Sequence, residues 1–256
     1  MMEIGWAVPT MVAGRVATVE SGRRPVVAEP QAPAAGPGLP VALPAPAGRS
    51  GNGAADGGSA GGAASAGPGR VAGWAQRLGP RVGIPAVALG AYGSAELTLA
   101  AQRPGCHLSW AALAGIGSVE SDHGRYRGAV LQSDGTSKPP IVGIPLDGHG
   151  AAVVRDSDGG RLDGDPQYDR AVGPMQFLPS TWRHYGADGD GDGVASPFSL
   201  NDAALAAGRY LCAAGGGDLR TAQAWSAAVL AYNNSGAYLA EVTTRGNAYA
   251  ARSFGR

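Results

Sequence analysis

From about Arg24 to Gly69 the chain carries almost no large side chains, only Pro, Ala, Gly and Ser with a few exceptions. Such a stretch cannot bury enough apolar surface to offset the entropy lost on ordering. Any core must therefore come from the residues beyond Gly69. We read 1–23 as an N-terminal segment of unclear role and 24–69 as a disordered Pro/Ala/Gly/Ser-rich linker, partly extended through its prolines. Order is expected to begin near Val71 and to form one domain over 71–256, about 180 residues and a normal size for a single core.

Gly, Ala, Arg and Asp dominate, so an Ala-rich stretch is weak evidence for helix unless larger apolar residues recur at helical spacing. They do so over Ile84–Ala101, with Val87, Leu89, Tyr92, Leu97 and Leu99. Ser109 reads as an N-cap ahead of Trp110, Leu113, Ile116 and Gly117, in a helix that runs through Glu120 and stops at Gly124. From Arg125 to Arg170 the pattern dissolves into Gly, Asp and Pro, with short apolar runs at Pro140–Ile144 and Ala151–Val154. Helical signals return at Pro179-Ser180-Thr181-Trp182 and at a Ser199/Asp202 capping box before Ala203–Ala214. Two more helices are expected, over Leu219–Tyr232 capped by Asp218 and over Ala237–Ala250. The predicted fold class is mainly α, a helical domain with an irregular insertion over 125–170.

With zero formal net charge and 16% charged residues, a phosphate-tracking nucleic-acid binder is excluded. No stretch is long and apolar enough to span a membrane. Met11 to Val19 is the nearest candidate for a signal peptide, and Gly14 and Arg15 interrupt it. No Gly-x-Ser-x-Gly elbow supports a serine hydrolase. His107, His123, His149 and His184 lack the spacing of zinc ligands.

Glu120 lies three, four and seven residues after Gly117, Ile116 and Leu113, on one helix face. A carboxyl on an apolar face in the last turn meets both desolvation and the negative end of the helix dipole. Both raise its pKa, as a general acid near neutral pH requires. A solvated Glu at a helix end is the commoner case, and the surrounding motifs reverse that prior.

Those motifs are Gly117-Ser118-Val119-Glu120-Ser121-Asp122-His123-Gly124, then Ala171-Val172-Gly173-Pro174-Met175-Gln176-Phe177-Leu178-Pro179-Ser180-Thr181-Trp182, then Leu230-Ala231-Tyr232-Asn233. In this order they resemble the lytic murein transglycosylases, most closely the B family of membrane-associated and soluble enzymes. The resemblance covers roughly 105–240. It implies a lysozyme-like domain with Glu120 as the catalytic acid/base. It further implies that Ser121, Met175, Gln176, Phe177 and Ser180 line a glycan groove and that Tyr232 and Asn233 close its floor. Amides suit acetamido and hydroxyl groups, and aromatic rings present apolar faces to sugars.

Asp188-Gly189-Asp190-Gly191-Asp192-Gly193, followed by Val194, reads as an EF-hand-like calcium loop. Asp188, Asp190 and Asp192 with the Val194 carbonyl are the candidate ligands, but position 12 is Ser199 where such loops carry Glu. Calcium would be structural; no cofactor is required for the chemistry. A solvated Asp/Gly turn is the alternative. Asp156, Asp158, Asp163 and Asp165 read as a solvated surface run. Cys106 and Cys212, the only cysteines, form a disulfide or stand as two small buried residues; a substrate outside the cytoplasm favours the bridge.

The function expected is cleavage of the β-1,4 bond between N-acetylmuramic acid and N-acetylglucosamine in peptidoglycan, leaving 1,6-anhydro ends. The partners are glycan strands, the location is the cell envelope or exterior, and the protein is a monomer. The alternatives are a muramidase using a second carboxylate and water, and a non-catalytic glycan-binding wall protein.

Overall fold

A computed structural model describes residues 68–149 and 151–254. The segments 1–23 and most of 24–69 lie outside the described residues. Seven α-helices occur among the described residues, in chain order α1 Pro68–Val82, α2 Ala86–Gln102, α3 Trp110–Ser121, α4 Pro179–Tyr185, α5 Leu200–Ala214, α6 Ala222–Tyr232 and α7 Gly236–Ser253. One short antiparallel pair, β1 Val130–Leu131 and β2 Ser137–Lys138, opposes Val130 to Lys138. The mainly α reading holds. No helix among the described residues is long and apolar enough to cross a membrane.

The core is built around α3. Every residue from Trp110 to Ser118 is buried, the mark of a helix packed on all sides. Its main partners are α7 and α2, while α5 packs on α2. Gly115 allows the closest approach, since a Cβ there would lie 2.6 Å from the Val242 carbonyl of α7. Both ends of α3 are secured. Ser109 Oγ accepts from Ala112 N at 3.3 Å, and Trp110 N donates to the buried Glu96 carboxylate of α2 at 3.0 Å. At the other end Asp122 and His123 are left-handed, and His123 N donates to Gly117 O at 2.9 Å, closing a 6→1 turn. The helix stops at Ser121, three residues before the Gly124 expected from sequence.

Several sequence expectations are corrected. A first described helix, α1, opens at Pro68 where the sequence suggested none: Val71, Ala75, Leu78 and Val82 form one buried face that Gly73, Gly79 and Pro80 obscure in the sequence. The Ile84–Ala101 helix starts only at Ala86, after Pro85. The capping box is half made. Ser199 Oγ accepts from Asp202 N, but the Asp202 carboxylate turns to Gly189 N at 2.7 Å and Ser196 N at 2.9 Å. Asp218 caps no helix; it pairs with Arg220 and His107, and Thr221 caps α6.

The 125–170 insertion is irregular, as expected, but its aspartates are not a free surface run. Asp156 accepts from the backbone N–H of Asp158, Gly159 and Gly160, and Asp163 from Asp165 N and Arg170 N. Asp158 binds Arg161 N, and Asp165 binds Gln167 N and the Arg170 guanidinium. These turns satisfy a backbone that has no ladder to do so. The fully buried Asp169, overlooked in the sequence, anchors Ser157 N and Oγ at 2.9 and 2.8 Å. The bridge Val142↔Val172 ties the insertion to the segment entering α4, and Arg155↔Tyr168 closes within it. Cys106 and Cys212 are joined in a disulfide, with Cα atoms 5.5 Å apart.

Candidate active site

Glu120 projects from the last turn of α3, half-buried, and its carboxyl accepts a short hydrogen bond from the Tyr238 hydroxyl. Burial pushes the Glu120 pKa up to about 7, against the smaller opposing pull of the Tyr238 bond. The group is therefore protonated in a substantial fraction at neutral pH while remaining ionisable, which suits one residue acting as acid and then base. No neighbouring acid figures among the causes of the shift.

Tyr238 is the residue that sequence reading missed. It lies in the first turn of α7, where Ser235 Oγ caps its N–H at 3.3 Å. In the sequence it is one more aromatic in a predicted helix. Its only signal is that Tyr232-Asn233-Asn234-Ser235-Gly236 breaks the chain just ahead of it.

The Gly173-to-Phe177 segment is a tight hairpin. Val172 and Phe177 exchange both backbone hydrogen bonds, at 2.8 and 2.9 Å. Gly173 has φ +75°, and a Cβ there would sit 1.8 Å from the Pro197 carbonyl, so only glycine fits. Gln176, with φ +50°, is held in a left-handed conformation and donates from Nε2 to Gly173 O at 2.9 Å. A non-glycine residue in this region is uncommon and characteristic of functional sites.

The other sequence candidates divide by depth. Ser121 is buried; its hydroxyl donates to Pro174 O at 2.6 Å and accepts from Gly124 N at 2.7 Å, joining the Glu120 helix to the hairpin. Met175 and Phe177 are buried in the core. Phe177 packs edge-on against Trp182 and Tyr232. Tyr232 is half-exposed and donates to Met175 O at 2.7 Å. Its hydroxyl pKa is raised well above the usual range by burial and then by the Glu120 charge. Gln176, Ser180 and Asn233 are half-exposed. Ser180 is in the first turn of α4, and Asn233 is the C-cap of α6.

The acidic loop gathers a different trio from the one the sequence suggested. Carboxylate oxygens of Asp188, Asp190 and Asp202 lie within 4.8 Å of one another. Asp192 is outside this group, its carboxylate accepting from Val194 N at 2.7 Å, and the Val194 residue is exposed. Burial raises the Asp202 pKa, with Asp190 and Asp188 adding repulsion after its own backbone bonds have opposed it. An all-oxygen carboxylate donor set fits a hard cation such as calcium.

Residues 167–250 match the family described as Transglycosylase SLT domain. No curated protein matches the chain. Similar solved structures include the Escherichia coli lytic transglycosylase Slt35 in complex with calcium, at 16% identity and a TM-score of 0.45, covering 74% of this chain and 81% of that one. Another is SltB3 from Pseudomonas aeruginosa in complex with NAG-anhNAM-pentapeptide, at 15% identity and a TM-score of 0.39, covering 69% and 66%. The matched 167–250 segment holds the hairpin, Tyr232 and Tyr238, two of the three motifs that carried the resemblance being among its residues. Over these residues the chain carries a match to the transglycosylase SLT domain, a domain of peptidoglycan-cleaving enzymes.

Proposed function

We propose that this enzyme is a peptidoglycan lytic transglycosylase of the B family, cleaving between N-acetylmuramic acid and N-acetylglucosamine with formation of a 1,6-anhydro end. The observation that carries the reading is the single carboxyl of Glu120, raised to about 7 by burial and partnered by a tyrosine rather than by a second acid. A retaining hydrolase needs another carboxylate about 5 Å away, which would add like-charge repulsion to the shift.

In the proposed reaction Glu120 donates its proton to the glycosidic oxygen, and N-acetylglucosamine leaves with a free 4-hydroxyl. The muramoyl acetamido group shares the positive charge developing at C1. Glu120, now a carboxylate, takes the proton of the muramoyl 6-hydroxyl as that oxygen bonds to C1. The proton count closes and no water is consumed. The internal hydroxyl competes well because it is held on the reacting ring. Tyr238 orients Glu120 and steadies its anionic form between the two steps. Gln176, Ser180, Tyr232 and Asn233 supply polar contacts to the glycan from the half-exposed face of the groove. The substrate places the enzyme in the cell envelope or outside the cell.

Mass spectrometry of muropeptides released from purified sacculi tests this. Ends lighter by one water, with no rise in reducing sugar, are expected; a predominance of reducing N-acetylmuramic acid would make the enzyme a muramidase.

A further inference from the structure

His123 is 1% exposed, three residues beyond Glu120, and the proposed chemistry leaves it unused. Its ring sits between two tyrosines from different helices, with Nδ1 3.1 Å from the Tyr92 hydroxyl of α2 and Nε2 3.1 Å from the Tyr249 hydroxyl of α7. The Tyr249 hydroxyl donates to Ser118 Oγ on α3 at 3.0 Å, and Arg245 donates to the same oxygen at 2.7 Å. Resting on the assignment of Glu120 as the acid, we propose that His123 is a positioning residue that, with Tyr92 and Tyr249, fixes the last turn of α3 against α2 and α7 and thereby aligns Glu120 with Tyr238.

The bond from Tyr249 to Ser118 sets the direction of the bonds behind it. Tyr249 has spent its proton on Ser118, so His123 Nε2 carries a hydrogen and donates to the Tyr249 oxygen. Nδ1 is then the acceptor, and Tyr92 donates to it. With these directions the chain runs from α2 to α3 through a neutral ring that uses both nitrogens. Burial, then the Arg125 and Arg245 guanidiniums, hold the His123 pKa down to about 3. Asp122, the acid of the same turn, is engaged by Arg125 at 2.9 Å. The ring therefore stays neutral over the working range of Glu120.

Two features carry this network to the catalytic carboxyl. The His123 backbone N–H closes the turn onto Gly117 O at 2.9 Å, so ring and backbone clamp the turn that ends in Glu120 and Ser121. Tyr249 stands eleven residues after Tyr238 on α7, about three turns along, so the two tyrosines share a face. A shift of α3 along α7 would break the Tyr249–Ser118 bond and the Tyr238–Glu120 bond together. An aromatic ring kept only for packing would need neither nitrogen; here both are used, and each lost partner would leave a buried polar atom unsatisfied.

The test uses the intact protein, wild type against His123→Phe and Tyr249→Phe. Carbon-13 NMR titration of the Glu120 carboxyl is read together with steady-state kinetics on sacculi. Misaligning Glu120 removes the Tyr238 bond that opposes the burial shift, so both variants are expected to raise the Glu120 pKa by about one unit. They are also expected to reduce kcat about tenfold or more, with KM changed by less than about twofold. Tyr249→Phe loses a single hydroxyl and so remains folded if His123→Phe does not. A lowered melting temperature with an unshifted Glu120 titration and an unchanged kcat would overturn the proposal, because a merely structural role predicts that pattern. The titration needs no substrate, so it decides the positioning role even if the glycan chemistry proposed above fails.

Discussion

Glu120 carries a stability cost that comes with its acid role. Its folded pKa, about 7, lies above the 4.5 of a free glutamate, so between these values the folded state holds a proton that the unfolded state has released. Folding stability therefore falls as pH rises from 4.5 through 7 and levels off above that, the total loss reaching up to about 3 kcal/mol. Glu120→Gln keeps the shape of the protonated acid and removes the ionisation. This variant is expected to lose about a thousandfold or more in turnover. It should also be more stable than wild type at pH 8, with the advantage vanishing below pH 4.5. Denaturation curves at the two pH values check the sign; an equal gap at both would show that the Glu120 pKa is not raised. For the wild type, kcat/KM should decline above about pH 7, as the acid form is lost.

At the level of elements, α3 is a helix whose small residues matter as much as its large ones. A Cβ on Gly117 would lie 2.0 Å from the Tyr92 hydroxyl and 3.2 Å from Met175 Sδ, the one in the His123 chain and the other beneath the hairpin. Gly117→Ala is expected to destabilise the protein by about 1–3 kcal/mol, measurable by urea titration. An unchanged midpoint would mean that Tyr92 moves aside freely. The acidic loop ahead of α5 makes an equally specific prediction. Calcium should raise the melting temperature of the wild type by a few degrees through preferential binding to the folded state. Asp202→Asn should abolish that rise, while Asp192→Asn should preserve it, since Asp202 joins Asp188 and Asp190 and Asp192 does not. The reverse ranking would restore the ligand set that the spacing of the aspartates suggests.

Across the whole molecule, the Cys106–Cys212 bridge is the longest-range covalent constraint, closing 106 residues and joining the approach to α3 with α5. Leu219 N also donates to Cys106 O at 2.9 Å, so backbone bonding reinforces the same junction. Removing the bridge by Cys106→Ala/Cys212→Ala should cost up to about 4–5 kcal/mol in the loop-entropy view. Chemical denaturation of the double variant against the oxidised wild type reads this directly, and equal midpoints would mean that the reduced chain is already constrained there by packing. The 125–170 insertion has little apolar core of its own. Aspartate-capped turns and the Arg155↔Tyr168 bridge hold it together, Val142↔Val172 ties it to the segment that leads into α4, and Asp169 is the one fully buried acid among its described residues.

What the sequence determined by itself was local. The apolar run behind Ser109, the breaks after Glu120 and the Ser199 cap are written in neighbouring residues, so α3 and α5 could be read almost to their ends. The raised pKa of Glu120 came from its place on an apolar face near a helix terminus, without knowledge of what covered it. The cysteine pair was legible because only two cysteines exist. Tertiary structure decided what depends on residues far apart in the chain. Tyr238 reaches Glu120 across 118 positions, and Asp202 abandons its capping role for Gly189 and Ser196. Asp218 leaves α6 to Thr221 because Arg220 and His107 engage it. His123 meets hydroxyls 31 residues before it and 126 after it. A carboxylate or imidazole has no preferred partner until packing has buried it, and then it takes whichever donors and acceptors the fold has brought within reach.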